Sequence, residues 1–186
     1  MTSHRLLAAI AIACLTTSTA SADETLDQSN VTEPALPTWG SIRTGVIWWQ
    51  TFWPGFDDTL TRVDLYIRIG FNTPTLPITV SIAQFDLAIT PTLVSPGASV
   101  SLSGAAIAAA LGPTKQGWVS FEMQSPVPLH HGTAYTIRVE SAAAELASYE
   151  WKIGSGDPYP TGSAFVNSGG VTRGLFGGDA LFRTWM

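Results

Sequence analysis

Thr61-Arg62-Val63-Asp64-Leu65-Tyr66-Ile67-Arg68-Ile69 decides the fold class. Val63, Leu65, Ile67 and Ile69 share one parity; Arg62, Asp64, Tyr66 and Arg68 share the other. Successive side chains of a strand point to opposite faces, so this run predicts a β-strand with one buried and one wetter side. A helix would space its apolar residues three and four apart. The pattern predicts Val63, Leu65 and Ile67 in the core, and Arg62, Asp64 and Arg68 largely exposed.

The same alternation recurs on both sides of this run. Upstream, Arg43 to Phe52 is rich in aromatic and β-branched residues and ends at the turn Trp53-Pro54-Gly55-Phe56-Asp57-Asp58. Downstream, Ile78, Val80 and Ile82 alternate with Thr79 and Ser81. Val100 with Leu102, Val119 with Phe121 and Met123, and Tyr135 with Ile137 and Val139 follow. Tyr149–Ile153 and Leu181–Trp185 complete the series. Alanine-rich Gly104–Leu111 predicts one or two helical turns. Gly154 to Gly178 is rich in glycine and turn residues, with one short apolar stretch at Ala164-Phe165-Val166. About eight short strands between turn signals predict an all-β fold. The expected architecture is a two-sheet antiparallel sandwich, jelly-roll-like, built by residues 39–186 as a single domain. Ile78, Val80, Ile82, Tyr135, Ile137 and Val139 are its expected inner face beside Val63, Leu65 and Ile67.

The N-terminal stretch reads as an export signal over residues 1–22. His4 and Arg5 precede an apolar run from Leu6 to Leu15, and Ala20-Ser21-Ala22 offers a small-residue cleavage site. Ala11-Ile12-Ala13-Cys14 gives the alternative of a lipid anchor through Cys14. Residues 23–38, with Pro34 and Pro37, read as a flexible acidic lead. The expected location is therefore secreted or periplasmic. Cys14 is the sole cysteine of the sequence, so the domain must stand on its core. The formal charge is −5 and no basic stripe exists, which argues against nucleic acid as a partner. The Leu6–Leu15 run is too short to span a bilayer, which needs about 20 residues, and no second apolar segment follows, so no membrane span is expected.

Several segments occur in a familiar order. They are Gln50-Thr51-Phe52, Leu60-Thr61-Arg62-Val63, Pro77-Ile78-Thr79-Val80-Ser81-Ile82 and Gly117-Trp118-Val119-Ser120-Phe121. Gly132-Thr133-Ala134-Tyr135, Asp157-Pro158-Tyr159-Pro160 and Leu181-Phe182-Arg183-Thr184 follow. The order resembles bacterial secreted β-sandwich modules of galactose-binding-like or jelly-roll appearance, over most of residues 43–185. The resemblance implies secretion and a binding or structural role, and it brings no catalytic residue onto this sequence.

Residue chemistry points the same way. His130 and His131 are adjacent before a turn glycine, and neighbours on a strand diverge, so they are expected to be exposed loop residues. No serine sits in a Gly-x-Ser-x-Gly elbow. Glu122, Glu140 and Glu150 could serve a hydrolase only by converging across strands. Asp157 and Asp179 could join backbone carbonyls around calcium, a cation that such extracellular sandwiches often carry; no other cofactor is expected. The seven tryptophans are the strongest signal. Trp48 and Trp49 are adjacent, so one must face the core and the other away from it. Trp118, out of phase with Val119 and Phe121, is expected to point outward. Trp151, between Glu150 and Lys152, and Tyr159, in a stiff proline turn, join it as candidate ligand-binding residues. An exposed Trp or Tyr can stack on a sugar or anchor a protein. The expected function is a non-catalytic secreted binding or surface module for a glycan or an envelope protein. A self-assembling structural component of envelope or matrix is the alternative, and a small hydrolase the third reading.

Overall fold

The computed structural model describes residues 24–32, 38–85, 92–175 and 178–186. The export signal, Cys14, Pro34 and Pro37 lie outside the described residues. Thirteen strands are present among those described. They are β1 (Leu26–Asn30), β2 (Thr38–Ile42), β3 (Val46–Phe52), β4 (Asp58–Ile69), β5 (Ile78–Gln84), β6 (Ser99–Leu102) and β7 (Gln116–Leu129). After them come β8 (Tyr135–Ser141), β9 (Tyr149–Ser155), β10 (Ala164–Ser168), β11 (Val171–Gly174), β12 (Gly178–Ala180) and β13 (Phe182–Trp185). One α-helix among the described residues, α1 (Gly104–Leu111), sits between β6 and β7. Ser103 caps it by accepting from the Ala106 amide, and Ile107 and Leu111 bury its inner side.

All pairings are antiparallel and form two sheets, giving the expected jelly-roll-like sandwich. The six-stranded sheet runs β11-β10-β3-β8-β5-β6. The seven-stranded sheet is organised around β4. One edge of β4 pairs with β7 along most of its length; the other pairs first with β13 and then with β9. β1 extends the sheet beyond β13, and β2 and β12 extend it beyond β9. The register of β4 against β7 shifts between Leu60 and Arg62, near Pro126, which has no N–H to donate. That shift rephases the strand, so Leu60 and Val63 both reach the core despite being three residues apart.

The core matches the alternation. Val63, Leu65, Ile67, Ile78, Val80, Ile82, Tyr135, Ile137 and Val139 are all buried. Trp48 joins the core, and its indole N–H donates to the Ser41 carbonyl at 2.8 Å. Gly40 makes this possible: a Cβ there would come within 2.5 Å of the Trp48 ring. Trp49 faces the other way, beside Phe165 and Arg138 on neighbouring strands, and is also enclosed.

Two expectations need correction. Leu26–Asn30, inside the expected flexible lead 23–38, is a strand on β13, and Asn30 is buried with its side-chain amide on the Ala180 carbonyl. Backbone pairing with the end of the chain holds it despite its polar sequence. Asp64, expected outside, is only 4% exposed, because Arg62 and Trp185 close over it. Gly154 to Gly178 holds the β10–β11 hairpin, whose alternation is too short to stand out among glycines. Among the described residues no helix is long and apolar enough to cross a membrane.

Candidate functional site: an aromatic–cation strip on the seven-stranded sheet

Four neighbouring strands bring the site together on the outer face. On β4 the parity that buries Leu65 and Ile67 turns Tyr66 and Arg68 outward. On β7 the same rule turns Trp118 out beside Val119 and Phe121, and the register sets Trp118 directly opposite Tyr66. On β9, Tyr149, Trp151 and Ile153 go inward and Glu150 and Lys152 outward. On β2, Trp39 lies opposite Lys152. The result is a row, Trp118–Tyr66–Lys152–Trp39, running across the strands.

Rings and cations interleave along it. Tyr66 meets Trp118 edge to face at 5.4 Å and Trp39 tilted at 6.2 Å. The Lys152 ammonium lies 4.5 Å from the Tyr66 centroid and 5.9 Å from that of Trp39. Arg68 stacks on Trp39 at 4.1 Å, and Arg183 on Trp118 at 4.0 Å. Such contacts are attractive because a ring face is negative, and they gain strength where water is excluded. Lys152 is only 6% exposed. Arg68 also forms a close ion pair with Glu150. Trp39, Tyr66 and Trp118 all remain partly exposed. They sit on regular strands, so a partner would meet donors and rings already fixed in place.

A second tier adjoins the row. Arg62 stacks on Trp185 at 4.4 Å and pairs closely with Glu24. The Trp185 indole donates to Asp64 Oδ2 at 2.8 Å. Arg62 Nε lies 3.2 Å from Asp64 Oδ1, an ion-pair distance whose angle falls outside hydrogen-bond geometry. Asp64→Ala is therefore expected to cost about 1–3 kcal/mol, because it leaves an indole donor and a guanidinium without their buried acceptor. Urea unfolding checks this, and a change below about 0.5 kcal/mol would mark Asp64 as an ordinary surface site.

Of the three residues singled out in the sequence, only Trp118 stands on this face. Trp151 is 0% exposed and donates its indole N–H to the Leu181 carbonyl at 2.8 Å. Its phase with Tyr149 and Ile153 places it inside, and an enclosed ring offers no face to a ligand. Tyr159 is buried too: its ring meets Phe182 edge-on at 5.1 Å and its hydroxyl donates to Gln28 at 2.9 Å. The proline turn thus closes the sandwich edge. Tyr66, Trp39, Lys152 and Arg183 complete the strip in their place. Their signal was present in the sequence as aromatics and cations out of phase with the apolar set.

The sandwich edge holds a second polar cluster. Asp179 is 1% exposed; it accepts from Gln50 Nε2 at 3.0 Å and from the Tyr159 amide at 3.3 Å. Asp157, at φ 55°, lies near it beside a cavity of about 380 Å³. Burial pushes the Asp179 carboxyl above its ordinary value, and the nearby Asp157 adds to the rise. Burial likewise raises Asp27 at the same edge. Each Asp179 oxygen accepts from a protein donor, which makes this carboxylate a buried hydrogen-bonded node. Among the described residues no group of three or more His, Cys, Asp or Glu could hold a metal. His130 and His131 are exposed, with Asp57 accepting from the His131 amide.

Searches against family models, curated proteins and solved structures found no match for this chain.

Proposed function

We propose that the chain is a secreted, non-catalytic binding module that lays an extended glycan across the outer face of its seven-stranded sheet. The observation that carries this reading is the row Trp118–Tyr66–Lys152–Trp39, with Arg68 and Arg183 stacked at its ends. An open sheet face suits an extended polymer better than a compact small molecule. Half-exposed rings supply apolar contact to sugar C–H groups, and the flanking Arg68, Glu150 and Gln116 supply donors and acceptors for hydroxyls. Fixed geometry lowers the ordering cost of weak contacts repeated along a chain.

Affinity electrophoresis against a panel of soluble polysaccharides tests the reading. Trp118→Ala and Trp39→Ala are each expected to weaken retardation at least about tenfold, which corresponds to about 1.4 kcal/mol. Their melting temperatures should stay close to that of the native chain. A native protein retarded by no polysaccharide would overturn the proposal.

A second reading, self-assembly, has its own support. Phe71 is 88% exposed and Leu146 69%, and the Asn72 amide donates to the Leu146 carbonyl, which brings the two loops together at one end of the sandwich. Sedimentation velocity of the native chain beside Phe71→Ser distinguishes it: a concentration-dependent oligomer lost in the variant favours this second reading.

A further inference from the structure

We infer that the glycan carries carboxylates and that Arg183 reads them; this rests on the glycan-binding reading above. The four cations of the outer face are not equivalent. Arg62 is held by Glu24 and Asp64, and Arg68 by Glu150. Lys152 is enclosed between Trp39 and Tyr66. Arg183 is half-buried, stacked on Trp118 at 4.0 Å, and no carboxylate pairs with it among the described residues. Asp64 lies opposite it on β4, but the Trp185 indole and Arg62 engage that carboxylate. Ser29 lies opposite it on β1 and brings no charge.

The Arg183 guanidinium carbon lies 4.0 Å over the Trp118 ring, and a guanidinium that lies flat on an indole keeps its in-plane N–H groups for another partner. Those donors form a rigid fork that matches a planar carboxylate through two parallel hydrogen bonds. The ring beneath also removes water from one side of the cation and strengthens what it binds at its edge. A guanidinium so held at the end of an aromatic row suits a polymer whose sugar rings contact Tyr66 and Trp118 while a uronate carboxylate meets Arg183. The net negative charge of the chain works against binding by general attraction to polyanions, so recognition would rest on this local fork.

Affinity electrophoresis of the full chain in polygalacturonate, in its methyl-esterified form and in dextran sulfate tests the assignment. The native protein is expected to be retarded by polygalacturonate at least about tenfold more strongly than by the ester, a difference of about 1.4 kcal/mol. Arg183→Gln should remove most of that preference. Arg183→Lys keeps the charge and the ring contact but lacks the fork, so it should recover little of it. Arg173→Gln, on exposed β11 away from the strip, should change nothing. Equal retardation by ester and acid, unaffected by Arg183→Gln, would overturn the carboxylate assignment and leave the glycan reading standing. Equal losses in Arg173→Gln and Arg183→Gln, with dextran sulfate as effective as polygalacturonate, would also overturn it. Retardation by a neutral polysaccharide of the panel above, but not by polygalacturonate, would overturn the carboxylate assignment and keep the glycan reading; retardation by no polysaccharide of that panel or of these three would overturn both.

Discussion

Trp151→Ala is expected to lose about 3–5 kcal/mol of folding stability, the range for truncating a large buried aromatic. The ring lies fully enclosed in the core beneath the strip, on β9, opposite Ile67 of β4. Its removal opens a void that backbone pairing on both sides keeps from collapsing. The Leu181 carbonyl also accepts from the Tyr66 amide, so the void dominates over the lost hydrogen bond. With one cysteine in the whole sequence, no intrachain disulfide offsets the loss. Natively folded domains hold only about 5–15 kcal/mol, so the variant should sit near the edge of folding. Urea unfolding measures this directly, and Trp151→Phe should fold with a smaller loss if the parent variant does not express. A Trp151→Ala midpoint equal to that of the native chain would mean that the ring is not in the core.

Asp179→Ala is expected to cost about 2–3 kcal/mol, because the Tyr159 amide loses its acceptor and Gln50 Nε2 loses one of two, keeping the Thr51 carbonyl at 3.1 Å, and a buried donor left unmade costs about 1–3 kcal/mol. The contact joins the two sheets: Gln50 lies on β3 and Asp179 on β12. Gln50 Oε1 returns a hydrogen bond by accepting from the Ala180 amide at 2.8 Å. The cost should depend on pH in a defined sense. Burial raises the folded-state affinity of Asp179 for its proton. The native chain therefore gains stability that is fully present below the unfolded carboxylate range and is lost as pH rises through the raised folded value. Asp179→Ala lacks that gain, so the gap between native and variant should widen from neutral toward mildly acidic pH. Asp157→Asn should narrow the pH dependence, because it removes the like charge and keeps a residue tolerant of positive φ. Thermal melts of the three proteins across this range check it. A gap that widens toward alkaline pH would show that the Asp179 carboxylate is stabilised as an anion.

The alternation in Arg62–Ile69 is local, and so was legible. Backbone geometry alone sends Val63, Leu65 and Ile67 to one side, whatever the rest of the chain does. The same rule placed Ile78, Val80, Ile82, Tyr135, Ile137 and Val139 inside and turned Trp118 out. It could not tell an outward residue from an exposed one. Asp64 obeys the parity yet is buried, because its cover comes from Trp185, which lies 121 residues away in the chain. Trp151 belongs to a strand whose neighbours Glu150 and Lys152 are charged, and only the phase of Tyr149 and Ile153 against the opposing sheet shows which side is inside.

Partners across strands were beyond the reach of periodicity. Tyr66 meets Trp118 because β4 and β7 pair in one register, and a register depends on bulges and turns at a distance. Arg183 reaches Trp118 because β13 and β7 flank opposite edges of β4. Short alternating strands with one buried face each were readable from residue order, since they follow from the period of the side chains. The pairing of those strands into two sheets, the strip, the Asp179 node and the burial of Tyr159 came from the folded chain, since each depends on which distant strands lie side by side.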